Sequence, residues 1–147
     1  LSRGAAKVYA VDVGHGQLAW RLRQDDRVIV HESTNARYLT AERIPEPIQL
    51  LVCDASFIGL RTLLPAVMDL VATRGQMITL IKPQFEVGRE HVGKKGVVSD
   101  PAQHTLVCDL VSDWVDDRPG WTVLGITESP VKGPQGNIEF LLAAWKR

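Results

Sequence analysis

Short apolar runs recur along this chain, separated by polar stretches that contain glycine, proline and charged residues. Four of these runs are nearly continuous, as is typical of strands buried on both faces of a parallel sheet. Pro83 ends the last run, because proline lacks the N–H that a strand ladder needs. We predict strands over Lys7–Val13, Arg27–His31, Ile48–Ala55 and Gln76–Lys82.

Other apolar residues recur at the spacing of an amphipathic helix. One such set comprises Leu60, Leu63, Leu64, Val67, Leu70 and Val71. We expect this helix to be stopped by Gly75. A second helix is predicted after Asp100-Pro101, where an N-cap aspartate precedes a first-turn proline. A short helix is also predicted over residues 17–24.

Two more predicted strands, over residues 121–127 and 138–145, close the chain. The connection between them contains no helix, so we expect a hairpin and hence an antiparallel edge. Strands that alternate with helices indicate an α/β fold, here mostly parallel with one antiparallel strand near the C-terminus. Residues 83–100 form an unusually long connection, and we expect residues 84–99 to be mobile or partly ordered without RNA.

The composition fits a single globular domain over residues 1–147. Apolar residues make up 45% of the chain and charged residues 23%, which are ordinary values. The 17 basic residues cancel the 17 acidic ones, so only a local basic patch would favour nucleic-acid binding. Cys53 and Cys108 have no metal-binding spacing, which argues for a reducing, cytoplasmic environment. No apolar run approaches the roughly 20 residues of a membrane span.

The first six residues resemble the end of a helix with a glycine stop, and a predicted strand follows them directly. The first visible element is therefore expected to be the second half of a larger unit. We expect the domain to be incomplete at its N-terminal end and the chain to be a fragment of a longer protein.

Charged residues stand at the ends of several apolar runs. Asp54 and Lys82 each follow a predicted strand, and Glu139 lies on the final one. In a parallel α/β sheet, ligands bind beyond the carboxyl ends of the strands. A lysine placed there can act as a general base or stabilise an oxyanion, and a nearby carboxylate would orient it. On spacing alone, a structural ion pair that closes the sheet explains these residues equally well.

Two further sets of residues suggest contacts with a ligand. Asp12 ends the first predicted strand, where an acidic side chain commonly accepts hydrogen bonds from a ribose; capping of the next helix is as good an explanation. The glycine-rich segment 88–96 lacks the residue order of a phosphate-binding loop. The candidates for contact with an RNA backbone are Arg89, Lys94, Lys95 and Lys132. The four histidines are scattered, and we assign no metal.

Several segments together resemble a known family. They are VYAVDVGHGQLAWRLR, HESTNAR, LLVCDASFIGL, TLIKPQFEVGR, GVVSDP and SPVKGPQGNIEFLL. The chain resembles, over nearly its whole length, the TlyA family of FtsJ-like, S-adenosylmethionine-dependent ribosomal RNA ribose methyltransferases, some of which are named hemolysins. The resemblance implies a Rossmann-like methyltransferase sheet that is truncated at its N-terminus.

The same resemblance implies roles for individual residues. The active site of FtsJ-like enzymes is a Lys-Asp-Lys-Glu tetrad, in which Asp54 matches the aspartate, Lys82 the second lysine and Glu139 the glutamate. Asp12 matches the acidic residue near the ribose of the methyl donor, and Asn35 falls where the adenine lies. Asp54 is expected to border the donor as well.

Three family features have no match in this chain. They are the glycine-rich loop that holds the donor, the first lysine of the tetrad and the N-terminal RNA-binding domain. The backbone amides of that loop normally receive the carboxylate of the donor. We therefore expect the 147 residues alone neither to bind S-adenosylmethionine tightly nor to methylate RNA, and the sheet to lack its central strand.

The implied function is methyl transfer to a ribose 2′-hydroxyl, with ribosomal RNA or a ribosomal subunit as the partner and no metal. An amino methyltransferase usually carries an Asn/Asp-Pro-Pro-aromatic motif, where this chain has Asp54-Ala55-Ser56-Phe57. A membrane-acting hemolysin would need a cationic amphipathic helix or an apolar span, and the sequence shows neither. A catalytically inactive RNA-binding module is the third alternative.

Overall fold

The computed structural model describes all 147 residues. The strands are β1 (Val8–Val11), β2 (Val28–His31), β3 (Ile48–Cys53), β4 (Val71–Ile81), β5 (Trp121–Glu128) and β6 (Phe140–Lys146). The α-helices are α1 (Trp20–Arg23), α2 (Leu60–Asp69) and α3 (Pro101–Asp116). Short 3-10 helices cover Ala36–Tyr38, Pro83–Phe85, Arg89–His91, Lys94–Gly96 and Pro134–Gly136.

The six strands form two sheets. Strands β1 and β2 pair in parallel as a two-stranded sheet, and the other four follow the order β3-β4-β6-β5. Strands β3 and β4 are parallel, whereas β6 runs antiparallel to both of its neighbours. The predicted α/β fold with one reversed strand near the C-terminus is confirmed. The β5–β6 hairpin forms the predicted antiparallel edge, and within it β5 is the outermost strand while the reversed strand β6 lies between β4 and β5.

The boundary between α2 and β4 differs from the prediction. The helix ends at Asp69, and Val71 already belongs to the strand. Residues 72–75 bulge out of the ladder, because Ile48 pairs with Val71 while Leu50 pairs with Gln76. Gly75 lies in this bulge and does not stop the helix. Glycine is needed there because a Cβ at this position would lie only 2.8 Å from the carbonyl oxygen of Ala72.

The hydrophobic core lies between the helices α2 and α3 and one face of the four-stranded sheet. Leu64 and Met68 of α2 are fully buried there with Met77 of β4 and Leu142 of β6. Successive residues of a strand point to opposite faces. The other face is accordingly more open, and Val52 is 68% exposed on it.

The long connection between β4 and α3 consists of three 3-10 turns. Both of its ends are anchored, because Pro83 and Val98 are buried. The carbonyl oxygen of Val98 lies 2.7 Å from Nε2 of the buried His104 in α3. Residues 88–91 and 93–96 are exposed. The predicted mobility of residues 84–99 therefore applies chiefly to the middle of the segment, and it stays a prediction.

Candidate active site

Lys82 and Asp54 meet where β3 and β4 end side by side. Asp54 follows Cys53, which is in register with Thr79, and Lys82 follows Ile81. The Nζ atom of Lys82 lies 2.6 Å from Oδ1 of Asp54 and donates a second hydrogen bond to Oγ of Ser56 at 3.2 Å. Hydrogen bonds between two ionised groups at such a distance belong to the stronger kind. The edge of the sheet that carries this ion pair is called the Lys82 edge below.

The two partners of this ion pair differ in their access to solvent. The Lys82 side chain is only 10% exposed, whereas that of Asp54 is 70% exposed. A lysine buried to this degree is costly to keep charged unless it is paired. Asp54 therefore balances the ammonium and at the same time connects it to solvent.

Glu139 lies at the same edge but takes a different partner. It immediately precedes β6 and is 5% exposed. Its Oε2 atom accepts a hydrogen bond of 2.9 Å from Nε2 of Gln84, and no lysine or arginine nitrogen lies within 4.0 Å of its carboxylate. Glu139 therefore does not hold Lys82 directly, and its hydrogen-bond partner in this structure is Gln84.

Two phenylalanines border the Lys82 edge. Phe57 is 90% exposed and has a φ of 65°, a left-handed conformation that is strained for an aromatic residue. Its ring packs at a tilt on Phe85, with 5.1 Å between the ring centroids. Each phenylalanine follows a charged residue of the edge by three positions, and sequence reasoning missed both.

Glu86 attaches the turn after Lys82 to the helix α2. Its Oε1 atom accepts a hydrogen bond of 2.7 Å from the backbone N–H of Leu60, the first residue of the helix. Gly59 has no side chain with which to cap this helix, so Glu86 supplies the cap from 26 residues away. Burial raises the pKa of Glu86 above its ordinary value.

A separate cavity of about 330 Å³ opens at the carboxyl end of the two-stranded sheet. Apolar walls face two acidic residues, Asp12 and Glu32, in its lining. The Arg23 guanidinium bonds to Glu32 and holds the pKa of that carboxyl below its ordinary value. An apolar slot with carboxylates suits a nucleoside, whose base is flat and whose ribose donates hydrogen bonds. Glu32 was missed by sequence reasoning, although it follows the end of β2 as Asp12 follows β1.

The three residues assigned to the donor differ in their relation to this cavity, although Asn35 directly follows Thr34, whose N–H donates to the carbonyl oxygen of Asp12 at 2.9 Å. Asp12 lines the cavity, and its Oδ1 atom accepts a hydrogen bond of 2.8 Å from the backbone N–H of Gly14. Asn35 lies outside the lining, and its side chain caps the 3-10 helix that follows it by accepting from the N–H of Arg37. Asp54 also lies outside the lining and is engaged by Lys82. Of the three residues, Asp12 is therefore the one that lines the cavity.

The four cations assigned to RNA are all exposed, and none of them takes part in an ion pair. They are Arg89, Lys94, Lys95 and Lys132. Lys94 and Lys95 form the tip of the turn 93–96, which resembles the turn 133–136 beside Lys132. In both turns the third residue has a φ near 60° and the fourth is a glycine with positive φ. The two turns therefore share a backbone conformation, and the contact of their lysines with RNA stays a prediction.

Asn137 joins these two turns. It is 3% exposed, and its Oδ1 atom accepts a hydrogen bond of 3.0 Å from the N–H of Val98. Its Nδ2 atom donates to the carbonyl oxygens of Gly96 at 2.9 Å and Pro134 at 3.2 Å. The side chain thus fastens the basic turn to the hairpin turn, two residues before Glu139.

Neither of the two cysteines is activated as a nucleophile in this structure. Cys53 and Cys108 are both free cysteines. Burial raises the pKa of both thiols, that of Cys108 to about 11. A thiol with a raised pKa is a poor nucleophile at neutral pH. No cluster of three or more His, Cys, Asp or Glu side chains is arranged to hold a metal ion, and no helix is long and apolar enough to cross a membrane.

Comparison with known proteins gives consistent results. Residues 1–146 match the family model of FtsJ-like methyltransferases. The chain is 48% identical over its full length to the 16S/23S rRNA (cytidine-2′-O)-methyltransferase TlyA of Mycobacterium tuberculosis and covers 54% of that protein. The chain thus spans about half the length of the curated relatives that it matches.

Solved structures agree with the family model. A Lactococcus lactis protein described as a hemolysin superimposes with a TM-score of 0.93 at 40% identity, over 99% of this chain and 70% of that one. The N-methyltransferase NodS of Bradyrhizobium japonicum, in complex with S-adenosylhomocysteine, shares the fold alone, with a TM-score of 0.58 at 12% identity over 95% of this chain and 66% of that one. The family model over residues 1–146 and the 40% identical structure show that the chain belongs to the FtsJ-like methyltransferase family.

Proposed function

We propose that residues 1–147 form the methyltransferase domain of an enzyme that methylates a ribose 2′-hydroxyl of ribosomal RNA. The observation that carries the proposal is the nearly buried Lys82 ammonium, held by Asp54 at the carboxyl edge of the sheet in a chain of this family. The 48% identical relative is named for cytidine 2′-O-methylation of 16S and 23S ribosomal RNA. Such a substrate implies a cytoplasmic protein.

The methyl donor in this proposal is S-adenosylmethionine, which supplies a methyl group activated by its sulfonium. The cavity beside Asp12 fits its nucleoside part, because apolar walls there face a carboxylate. Asp12 would accept hydrogen bonds from the ribose hydroxyls. Of the residues that sequence reasoning assigned to the donor, Asn35 and Asp54 would act only indirectly, as a cap and as the partner of Lys82.

Lys82 is the residue that would act on the acceptor. Its Nζ atom would lie against the 2′-oxygen and either help to remove the proton or stabilise the negative charge that develops on the oxygen. Asp54 orients the ammonium through the 2.6 Å contact. Because Asp54 is mostly exposed, a proton leaving the acceptor has a short route through it to solvent. Holding the acceptor oxygen in line with the methyl group supplies the remaining acceleration.

Acceptor binding would use the exposed groups around the same edge. Phe57 offers an aromatic face on which a nucleotide base can stack, and stacking of this kind is indifferent to sequence. Lys94, Lys95 and Lys132 would neutralise backbone phosphates. For the alternative of a membrane-acting protein, the structure contains no helix that could span a bilayer.

The test is a methylation assay of the full-length protein on ribosomal subunits from a strain that lacks its gene. Lys82→Ala should lower kcat at least 100-fold while leaving the Kd of S-adenosylmethionine within about threefold, because the lysine acts on the acceptor. Lys7→Ala is the matched control, because Lys7 is exposed and pairs only with the surface residue Glu46. Equal loss of donor binding and turnover in Lys82→Ala would instead make the lysine structural.

A further inference from the structure

Two opposite charges face each other across the Lys82 edge and yet do not pair. Ile81 and Phe140 are partners in the antiparallel ladder of β4 and β6, so the next pair in this register is Lys82 and Glu139. Residues directly opposite in such a ladder point to the same face of the sheet, and opposite charges there normally attract. Both residues are less than 10% exposed, which would strengthen the attraction.

Each of the two charges has another partner. Lys82 turns to Asp54 and Ser56, and Glu139 accepts its hydrogen bond from Gln84. The amide of Gln84 can have only one orientation here, because the reverse one would place its oxygen against the carboxylate. Gln84 therefore gives Glu139 a neutral hydrogen-bond donor, although the cation Lys82 lies directly opposite Glu139 in the ladder.

The Gln84 side chain is a poor choice for packing alone. Its Oε1 atom is buried and has no hydrogen-bond partner. An unsatisfied buried carbonyl is costly, whereas a methionine of nearly the same shape would fill the space without that cost. The Nε2 atom makes the only side-chain hydrogen bond of Gln84. The hydrogen bond to Glu139 is therefore the reason for an amide at this position.

We propose that Gln84 is a positioning residue, a neutral spacer that binds Glu139 and so keeps this carboxylate from forming an ion pair with Lys82. Lys82 then stays with Asp54, the one carboxylate of the edge that solvent reaches. The expected effect of Gln84 on kcat rests on the proposed function. The separation of Lys82 from Glu139 does not depend on that function.

The physical reason lies in the balance of charge around Lys82. The titratable groups that surround it are Asp54 and Cys53 from β3 and Glu139 from β6, while Glu86 is held at the start of α2. One carboxylate orients the ammonium. Two would neutralise the ammonium, so that it would stabilise a negatively charged acceptor oxygen less. A spacer therefore preserves this role of the lysine.

The first experiment compares crystal structures of the full-length protein and its Gln84→Met variant. Without the amide, we expect Nζ of Lys82 to come within 4.0 Å of the Glu139 carboxylate. If Lys82 stays on Asp54 and Glu139 does not move toward it, the proposal is overturned, whether or not the protein methylates RNA. A Gln84→Leu variant also removes the amide and serves if the methionine variant does not fold.

The second experiment measures turnover on ribosomal subunits. Gln84→Met should lower kcat at least tenfold, with the KM of RNA and of S-adenosylmethionine within about twofold, and Gln84→Asn should recover part of the loss. Gln103→Met is the matched control, because Gln103 is a half-buried residue of α3 whose side chain makes no hydrogen bond. An unchanged kcat in an active enzyme would refute the role of Gln84, whereas absence of wild-type turnover would count against the proposed function alone.

Discussion

Gly133 lies so close to Glu139 that no larger residue fits between them. A Cβ atom added to Gly133 would stand 2.7 Å from Cδ of Glu139, closer than real Cβ contacts allow. The backbone of Gly133 is extended, with a φ of −76°, so conformational strain is not the reason for glycine here. The reason is space, because the nearly buried Glu139 has little room to move away.

We predict that Gly133→Ala destabilises the protein by about 1–3 kcal/mol, the usual cost of inserting a methyl group into a tightly packed site. Urea unfolding at neutral pH measures this change. Gly125→Ala is the control, because nothing lies within 4 Å of a Cβ at Gly125. A Gly133→Ala protein as stable as the wild type would show that the Glu139 side chain is mobile.

At the scale of single residues, the sequence was informative wherever a strand ended. Asp54 and Lys82 could be assigned to one edge because parallel strands bring their carboxyl ends together. The contact between Gln84 and Glu139 could not be predicted, because it depends on the register of β4 with β6 and on the turn after Lys82. For Asn35, the resemblance to a family motif suggested a contact with the adenine. It did not reveal that the side chain caps a local 3-10 helix.

At the scale of elements, the cap that Glu86 provides for α2 has a dependence on pH. Burial raises the pKa of Glu86 above its ordinary value of 4.5, so the folded protein holds this proton more tightly than the unfolded chain does. At a pH between 4.5 and the raised pKa, the folded state binds more protons than the unfolded state does. The free energy of unfolding must therefore fall as the pH rises through this window.

We predict that Glu86→Gln removes this contribution. The glutamine carbonyl can still accept from the N–H of Leu60, but no charge is buried, so the variant should be more stable than the wild type at pH 7 and lose its advantage below pH 4.5. Thermal unfolding of both proteins from pH 4 to pH 8 provides the measurement. Glu42→Gln is the control, because Glu42 is exposed and makes no side-chain contact of this kind. A stability difference independent of pH would contradict the assignment.

Most helices and strands could be predicted from periodicity, and the exceptions have physical causes. Leu70 and Val71 continue the apolar spacing of α2, yet Val71 pairs with Ile48 as part of β4. Apolar residues at this junction are buried in either conformation, so their pattern cannot separate helix from strand. The bulge that Gly75 permits is decided by the partner strand β3 and is invisible in the local sequence.

At the scale of the whole molecule, the distribution of charge matters more than its sum. The net charge is zero, but the turn 93–96 carries two exposed lysines without ionic partners. Binding of such a surface to RNA releases counterions, so affinity falls as salt rises. A protein without net charge can therefore still bind a polyanion through one side.

We predict that Lys94→Glu combined with Lys95→Glu weakens RNA binding and flattens its salt dependence. The slope of log K against log[salt] should become shallower by about 0.7–0.9 for each phosphate that the variant no longer neutralises. Filter binding or fluorescence anisotropy at several salt concentrations provides the slope. Lys7→Ala removes a surface lysine that already pairs with Glu46 and should leave the slope unaltered. If the double variant keeps the wild-type slope, the turn does not bind phosphate.

The split into two sheets agrees with the expectation that the sheet lacks its central strand, whereas the order of the strands could not be derived from the chain alone. The sequence predicted the strands β1 to β6 and their α/β order, but pairing between strands is set by neighbours that lie far apart in the sequence. The strands β1 and β3 each have a single hydrogen-bonded neighbour, β2 and β4 respectively. Which element lies beside the other edge of each strand depends on the tertiary structure, and local hydrophobic periodicity does not predict it.

The way in which Asn137 fastens two distant turns has a practical meaning for protein engineering. Its side chain binds Gly96 and Val98, both of which follow the exposed tip at Lys94-Lys95. If a protease or a designed permutation opened the chain at that tip, the new N-terminal segment would still be hydrogen-bonded to the hairpin, and Pro83 would still be buried upstream of the break. The tip is therefore the place at which this fold should best accept new termini or an inserted reporter domain.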